Sequence, residues 1–587
     1  MQKQKEGRDR NDIKHPARTG AQCVVDGLAK EGCEVLFGYP GGAVLDIFNS
    51  LYDAPFQFVL SRHEQGAVHM ADGYARATGK VGCCMVTSGP GATNTVTGLA
   101  TACMDGIPLV CMSGQVPLSM IGNDAFQEAD VVGITRPVTK HNFLVRNVDE
   151  LPDIIAQAFY IASSGKPGPV VVDIPKDIQK QSTTRPVPEK VDMRAYKPHV
   201  DFDVDAVAEL AGMINKASSP VLYVGGGTIA GNAAGEITDL ARKARIPVVT
   251  TLMGMGAFPG DDPLALGMLG MHGSVAANYA VDKCDLLISA GARFDDRVTG
   301  NISEFAKKAE IVHIDIDRSA IGKSVRCDLG IEGYLKPVVT SLILQVEKVE
   351  NREWAETTLR WKERHPFTYP EKGDVIMPQY VIERIYEVSG GKATIVSDVG
   401  QHQMWAAQHY FYTRPRSFLS SGGLGTMGFG LPAAIGAKFA CPDDLVVCVT
   451  GDGGVQMNFQ ELVVAVEHKR PVVVVILNNS FLGMVRQWQE MFYDQRYSGV
   501  TLKQKGRKRM EMIEEAAGYL PDFIKLCEAH GAKGKRIFTR DEVDSALKEA
   551  FESGETCVIE CIVDPEANVF PMIPPGQAVS AMITSLV

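Results

Sequence analysis

Residues 445–479 read LVVCVTGDGGVQMNFQELVVAVEHKRPVVVVILNN. An apolar, β-branched run from Leu445 to Thr450 meets a glycine-rich turn. A helical stretch follows, NFQELVVAVEH, and then a second apolar run, Pro471 to Leu477, ending on Asn478-Asn479. Two buried-strand patterns with a helix between them predict one crossover of a parallel sheet. Asp452 and Asn479 are then 27 residues apart (479 − 452) and sit at the carboxyl ends of neighbouring strands, where open α/β sheets bind ligands. Asp452 and the side-chain oxygen of Asn479 are hard ligands suited to Mg²⁺. One backbone carbonyl, assigned to Phe481, two diphosphate oxygens and a water would complete an octahedral shell. Gly453 and Gly454 let the backbone approach phosphates closely. Either turn alone is common; together, on one crossover, they point to a diphosphate-bearing cofactor.

Working outward, the same alternation of β-branched runs, glycine turns and amphipathic stretches recurs in three segments. The expected fold class is therefore α/β, three domains with parallel sheets flanked by helices. The expected boundaries are an N-terminal extension, 1–18, a first domain, 19–183, and a Pro-rich, charged linker, 184–201. A central domain, 202–350, a charged helical connector, 351–376, and a third domain, 377–587, follow. A length of 587 residues is compatible with that number.

A net charge of −11 argues against a nucleic-acid partner, which needs a basic face. The 13 cysteines lack metal-ligand spacing and read as reduced thiols of a cytoplasmic protein. The most apolar run, PVVVVIL, is too short to span a bilayer, so no membrane association is expected. The polar, mixed-charge N-terminus has neither a secretory core nor transit-peptide character.

In the first segment Glu64 follows the strand pattern FQFVLS and opens a helix in SRHEQGAVHMADGYAR. By itself this is a helix-start glutamate beside the macrodipole. Beside it stand FGYPGG, with Tyr39, Gly41 and Gly42, and TSGPGATN, with Pro90 and Asn94. With these blocks the chain resembles the acetohydroxyacid synthase and pyruvate oxidase superfamily of thiamine-diphosphate enzymes, from about Thr19 to Met582. The resemblance implies a thiamine-diphosphate-binding fold with pyrimidine-binding, central flavin-type and diphosphate-binding domains. It implies that Glu64 faces the cofactor's aminopyrimidine and activates it. In that family this glutamate and the diphosphate motif come from different subunits, so a homodimer or homotetramer is expected.

Further blocks carry the resemblance. DVGQHQMW places Gln401 and His402 on the diphosphate side. By resemblance SSGGLGTMGFGLPAAIGA places Met427 beneath the cofactor's bend and the Gly425 carbonyl as acceptor of its 4′-amino group. Three blocks resemble acetohydroxyacid synthase in particular. GNDAFQEADVVGITRPVTKH carries Phe126 and Gln127, and LGMHG with GARFDDRVTG carries Met271, His272, Arg293 and Arg297. GMVRQWQEMFY carries Met484, Val485 and Trp488. By resemblance Arg297 binds the carboxylate of the second keto acid, which its planar fork suits. Trp488 narrows that pocket in favour of 2-ketobutyrate over pyruvate, by roughly tenfold to a few hundredfold for one methylene.

YVGGGT (Gly225, Gly226, Gly227), TTLMGMG (Thr251, Leu252), GARF (Gly291) and IDID (Asp315) resemble the family's FAD-binding segments. The flavin is expected to be structural. Lys166, near the flavin in relatives, departs from the more usual arginine, and Lys176 lies by the substrate channel. The activity implied is condensation of two pyruvates to 2-acetolactate, or of pyruvate with 2-ketobutyrate, in branched-chain amino-acid synthesis. A small regulatory subunit is implied as a partner. A pyruvate oxidase, a glyoxylate carboligase or a non-catalytic scaffold subunit are the rival readings. The last two are disfavoured by Glu64 and by the intact set of Asp452, Asn479, Arg297 and Trp488.

Overall fold

The computed structural model describes residues 16–198, 201–502 and 520–585. Residues 1–15 of the expected extension, 199 and 200 of the expected linker, and 503–519 and 586–587 of the expected third domain lie outside the described residues. Three six-stranded sheets follow one another along the chain, and every strand pairing within them is parallel. Most of their strands are buried along their whole length, which is why they read as unbroken Val/Ile/Leu/Cys runs rather than alternating ones.

The first sheet runs Gln57–Leu60, Val35–Tyr39, Gly82–Val86, Leu109–Gln115, Pro169–Pro175, His141–Leu144. The third runs Phe418–Ser420, Thr394–Ser397, Val446–Gly451, Val473–Asn478, Cys557–Ile562, Lys533–Ile537. Numbered within each sheet, both have the order 2-1-3-4-6-5, a relationship the sequence alone left open. The central sheet differs. Its order is Ala265–Met268, Val248–Thr250, Pro220–Val224, Leu286–Ala290, Glu310–Asp315, Leu329–Glu332, or 3-2-1-4-5-6, the dinucleotide-binding order.

In each sheet the order reverses beside its first strand, and ligands bind at the carboxyl ends there. In the first sheet these ends carry Tyr39–Gly42 and Thr87–Asn94. In the central sheet they carry Gly225–Gly227 and Gly291, and in the third Asp398–His402 and Gly451–Gly454. All three motif groups therefore stand at switch points.

The first and third sheets are joined through a helix pair. Glu64–Thr78 starts on His63, whose ring accepts the Gln65 N–H, and stops at Gly79 in the left-handed region. It packs on Gly430–Ala440 at glycine-lined contacts. A Cβ at Gly73 would stand 2.1 Å from the Ala433 carbonyl oxygen, and one at Gly436 1.9 Å from that of Met70. Apolar residues of both sheets merge there into one core, including Met70, Phe37, Phe429, Ala433 and Ile476. The central sheet keeps its own core.

Candidate active site in two halves

The third sheet supplies one half. Strand Val446–Gly451 ends on Gly451, and Asp452 begins a single helical turn to Val455. Asp452 is buried, and burial pushes its carboxyl up to about 7. Its Oδ2 has no hydrogen-bond partner within the chain. An orphaned buried carboxylate oxygen is costly unless a cation meets it. Asn479 stands nearby, held by two bonds: its Oδ1 accepts the Phe481 N–H (3.0 Å) and its Nδ2 donates to Gln401 Oε1 (3.3 Å). Among the described residues no group of three His, Cys, Asp or Glu could hold a metal. One carboxylate, one amide oxygen and one carbonyl beside glycines is instead the donor set for Mg²⁺ completed by diphosphate.

His402 is also buried and kept neutral, its ring pushed down to about 4 by burial, and its Nε2 lacks a partner. It lies against Gly451, where a Cβ would be 3.2 Å from its Nδ1. Met427 reaches the same place, its methyl group 3.7 Å from a Cβ built on Gly453. Gly425, at φ 72, turns the chain just before it.

The first sheet supplies the other half. Glu64 Oε2 accepts the Asn94 amide at 3.0 Å. Gly91 and Gly41 close in on Thr87, so FGYPGG and TSGPGATN do meet around Glu64. Gln127, with φ 59, lays its carbonyl 2.7 Å from a Cβ built on Gly89. Phe126 (89% exposed) and Tyr39 (39%) face outward, so this half is open on the chain's surface. Pro90 opens the turn Pro90–Thr93, and Lys176 opens the short helix Lys176–Lys180 at the same sheet edge. Among the described residues no hydrogen bond or ion pair joins Glu64 or Asn94 to Asp452 or Asn479.

Between the central and third sheets lies a cavity of about 600 Å³. Gly226, Gly227, Thr251, Leu252, Gly291, Arg293 and Asp315 line its central-sheet wall. Met271, His272, Arg297, Met484, Trp488 and Gly425 line the part toward the third sheet. Gly225 lies just behind the wall, its N–H given to the Ala290 carbonyl at 3.0 Å. Gly225 also approaches Gly291 so closely that a Cβ would stand 2.1 Å from the Gly291 oxygen. The Arg297 guanidinium stands over the Trp488 ring, 5.8 Å from its centroid, and also 3.5 Å from Asp296. Val485, on the helix Gly483–Phe492 that carries Met484 and Trp488, is half exposed. Lys166, which also lines the cavity, reaches from the first unit to Asp317 at 3.0 Å.

Thiamine pyrophosphate enzyme family models match all three units: the N-terminal TPP binding domain at 18–134, the central domain at 207–342 and the C-terminal TPP binding domain at 398–561. The chain is 45% identical over 577 residues to the acetolactate synthase large subunit of Haemophilus influenzae, covering 97% of this chain and 98% of that protein. It is 47% identical to the probable acetolactate synthase large subunit of Methanocaldococcus jannaschii (96% and 95% covered). It is 46% identical to the acetolactate synthase isozyme 3 large subunit of Escherichia coli (94% and 96%). The chain belongs to the acetolactate synthase large-subunit family.

Beside the family's motifs, several buried groups that the sequence reading passed over hold the halves in shape. Asp398 accepts N–H groups from Val399 (2.8 Å) and Gly428 (2.9 Å) and the Thr450 hydroxyl (3.1 Å), tying three loops of the diphosphate half together. Asp105 accepts the Gly423 and Gly422 N–H groups at 2.7 and 3.2 Å, just ahead of Gly425. Arg76 pairs with Asp105 at 2.9 Å and with Asp72. Thr101 bonds Thr426 at 2.7 Å. Glu461, at the end of the short helical turn Phe459–Glu461 of the third unit, accepts the Arg62 N–H at 3.0 Å, close to Glu64. Burial chiefly, with the Glu64 charge adding, pushes the Glu461 carboxyl up to about 7. No local motif marks Asp105, because the Gly422 and Gly423 N–H groups that it holds lie more than 300 residues away.

Proposed function

We infer that the chain is an acetolactate synthase catalytic subunit. It condenses two pyruvates to 2-acetolactate and CO₂, or pyruvate with 2-ketobutyrate to 2-aceto-2-hydroxybutyrate, for branched-chain amino-acid synthesis. The observation that carries this reading beyond thiamine chemistry in general is Arg297 stacked on Trp488 beside Met484 and Gly425. A keto-acid carboxylate suits the guanidinium, and the indole limits the acceptor's alkyl group.

Thiamine diphosphate, when bound, supplies the carbanion chemistry. Asp452, Asn479 and the Phe481 carbonyl would hold Mg²⁺ against its diphosphate, with Gly453, Gly454 and His402 alongside. Met427 would support its bend, and the Gly425 carbonyl would accept its 4′-amino group. Glu64, oriented by Asn94, would hold and exchange a proton at the aminopyrimidine. Gln127, Phe126 and Lys176 would line the approach, and Arg297 would orient the second keto acid. Gly226, Gly227, Thr251, Leu252, Gly291 and Arg293 would hold FAD, on a sheet of dinucleotide-binding order.

The openness of the Glu64 half supports a homodimer in which each cofactor lies between unlike halves of two chains. Relatives named large subunits support a regulatory small subunit. No described helix is long and apolar enough to cross a membrane, and a cytoplasmic location is in keeping with the free cysteines. Domain limits of 19–183, 202–350 and 377–587 fit the three sheets.

Incubation with pyruvate, thiamine diphosphate and Mg²⁺, with and without FAD, tests the reading. Acetolactate as product supports it. Acetate with peroxide, or free acetaldehyde, would move the chain to an oxidase or decarboxylase role. Glu64→Gln is expected to lose most carboligation while keeping its far-UV circular dichroism; near-normal turnover would sink the role given to Glu64.

A further inference from the structure

Trp488 and Met484 lie on the helix Gly483–Phe492, and what holds that helix is a pair of buried glutamines. Gln487 is fully buried. Its Nε2 donates to the Val569 carbonyl (3.0 Å), and its Oε1 accepts the Val569 N–H (2.9 Å) and the Gln401 Nε2 (2.9 Å). One side chain thereby pairs with a backbone residue at both donor and acceptor, like a rung of a sheet ladder.

Gln401 continues the line. Its Nε2 also donates to the Ala567 carbonyl (3.1 Å), which commits its Oε1 to the Asn479 amide. With Nδ2 so engaged, Asn479 offers a cation its oxygen, whose other lone pair accepts the Phe481 N–H. The helix begins directly on this contact: a Cβ at Gly483 would stand 2.1 Å from Gln401 Oε1 and 2.7 Å from Asn479 Nδ2. Arg486, one residue before Gln487, grips the same tail through Asn568 at 2.6 Å. The tail then runs on to Met271, whose carbonyl accepts the Ile573 N–H at 2.8 Å.

We propose that Gln487 is a positioning residue for acceptor choice: through Gln401 and Val569 it fixes the helix bearing Trp488 and Met484 relative to the metal-side Asn479. Gln487 touches neither substrate nor cofactor. Its amide sets where the indole stands, and the indole sets which keto acid fits. A shift of a fraction of an ångström in a pocket that discriminates one methylene erodes the discrimination before it stops turnover. This rests on the acetolactate synthase reading above.

The experiment is competition between pyruvate and 2-ketobutyrate at fixed concentrations with full-length protein, reading the ratio of acetohydroxybutyrate to acetolactate. Gln487→Met keeps the volume and removes the bonds to Val569 and Gln401, along with the weaker contacts of Nε2 to the Met491 and Met572 sulfurs. Gln487→Glu keeps the acceptor oxygen and loses the donor to Val569. The ratio is expected to fall by about tenfold in Gln487→Met, within the range one methylene can supply, and by less in Gln487→Glu. Donor-pyruvate KM should change little in both. An unchanged ratio in either folded variant, whatever happens to kcat, overturns the proposal, and Gln487→Glu decides it if Gln487→Met does not fold. If the parent protein forms neither acetohydroxyacid, the functional reading fails first and separately.

Discussion

Asp173 shows what burial does to a single residue. It sits in the strand Pro169–Pro175, accepts the Ser113 hydroxyl (2.7 Å) and the Gln115 amide (2.9 Å), and is pushed up to about 7, by burial first and by the Asp130 charge in addition. An unfolded aspartate titrates near 3.9 (roughly). Between about pH 4 and pH 7 the folded state therefore keeps a proton that the unfolded chain has lost, and stability falls as pH rises through that window, by at most about 1.4 kcal/mol per pH unit. Asp173→Asn removes this dependence. In urea denaturation of the cofactor-free protein, the variant's stability relative to the parent is expected to improve from about pH 5 to about pH 8. Equal differences at both pH values would show that Asp173 is not held protonated. The same scale shows what was legible. Glu64, Asp452 and Asn479 stood out because their meaning lies in short motifs at fixed spacing. Asp398, Asp105 and Gln487 did not, because each is an ordinary polar residue until the fold brings its partners 30, 318 and 82 residues along the chain.

Among elements, the decisive one is the helix Glu64–Thr78. In the function proposed above its first residue serves the chemistry, while its later turns are pressed against Gly430–Ala440 with backbone on both sides of the contact. Gly436→Ala is expected to cost at least the roughly 1–3 kcal/mol of ordinary overpacking, since a carbonyl cannot rotate away as a side chain can. A midpoint in urea unchanged from the parent would contradict the close approach. At the far end of the helix Arg76 is buried between Asp72 and Asp105. Arg76→Met strands those two carboxylates, a loss of about 3–5 kcal/mol. Adding Asp105→Asn should recover part of it, and full additivity of the two changes would refute a shared network. The strands and helices themselves were readable, because fully buried parallel strands leave unbroken apolar runs. The glycines of this contact were not, since a glycine inside a helix pattern looks the same whether it is tolerated or required.

For the whole molecule, the three-part organisation could be read from the chain, but the matching order of the outer sheets could not. Strand order is a property of long-range pairing, and no local pattern records it. The arrangement makes a prediction about assembly. Glu64→Gln and Asp452→Asn chains, each inactive alone, are expected to regain activity when co-folded. Random pairing leaves one site in four with an intact Glu64 and an intact Asp452. No recovery in mixtures that demonstrably exchange subunits would mean that both groups of a site come from one chain.

The contact between Glu64–Thr78 and Gly430–Ala440 also has a consequence in time. About 350 residues separate the two helices in the chain. At a synthesis rate of ~5–20 residues per second, the first helix leaves the ribosome roughly 20–70 s before its cover is made. During that interval a glycine-and-alanine face meant for another helix, with Met70 and Val68 beside it, is open to whatever is nearby. Newborn chains of this protein thus pass through a long, unavoidable exposure, and the yield of a cell's translation depends on what shields them until the last third of the message is read.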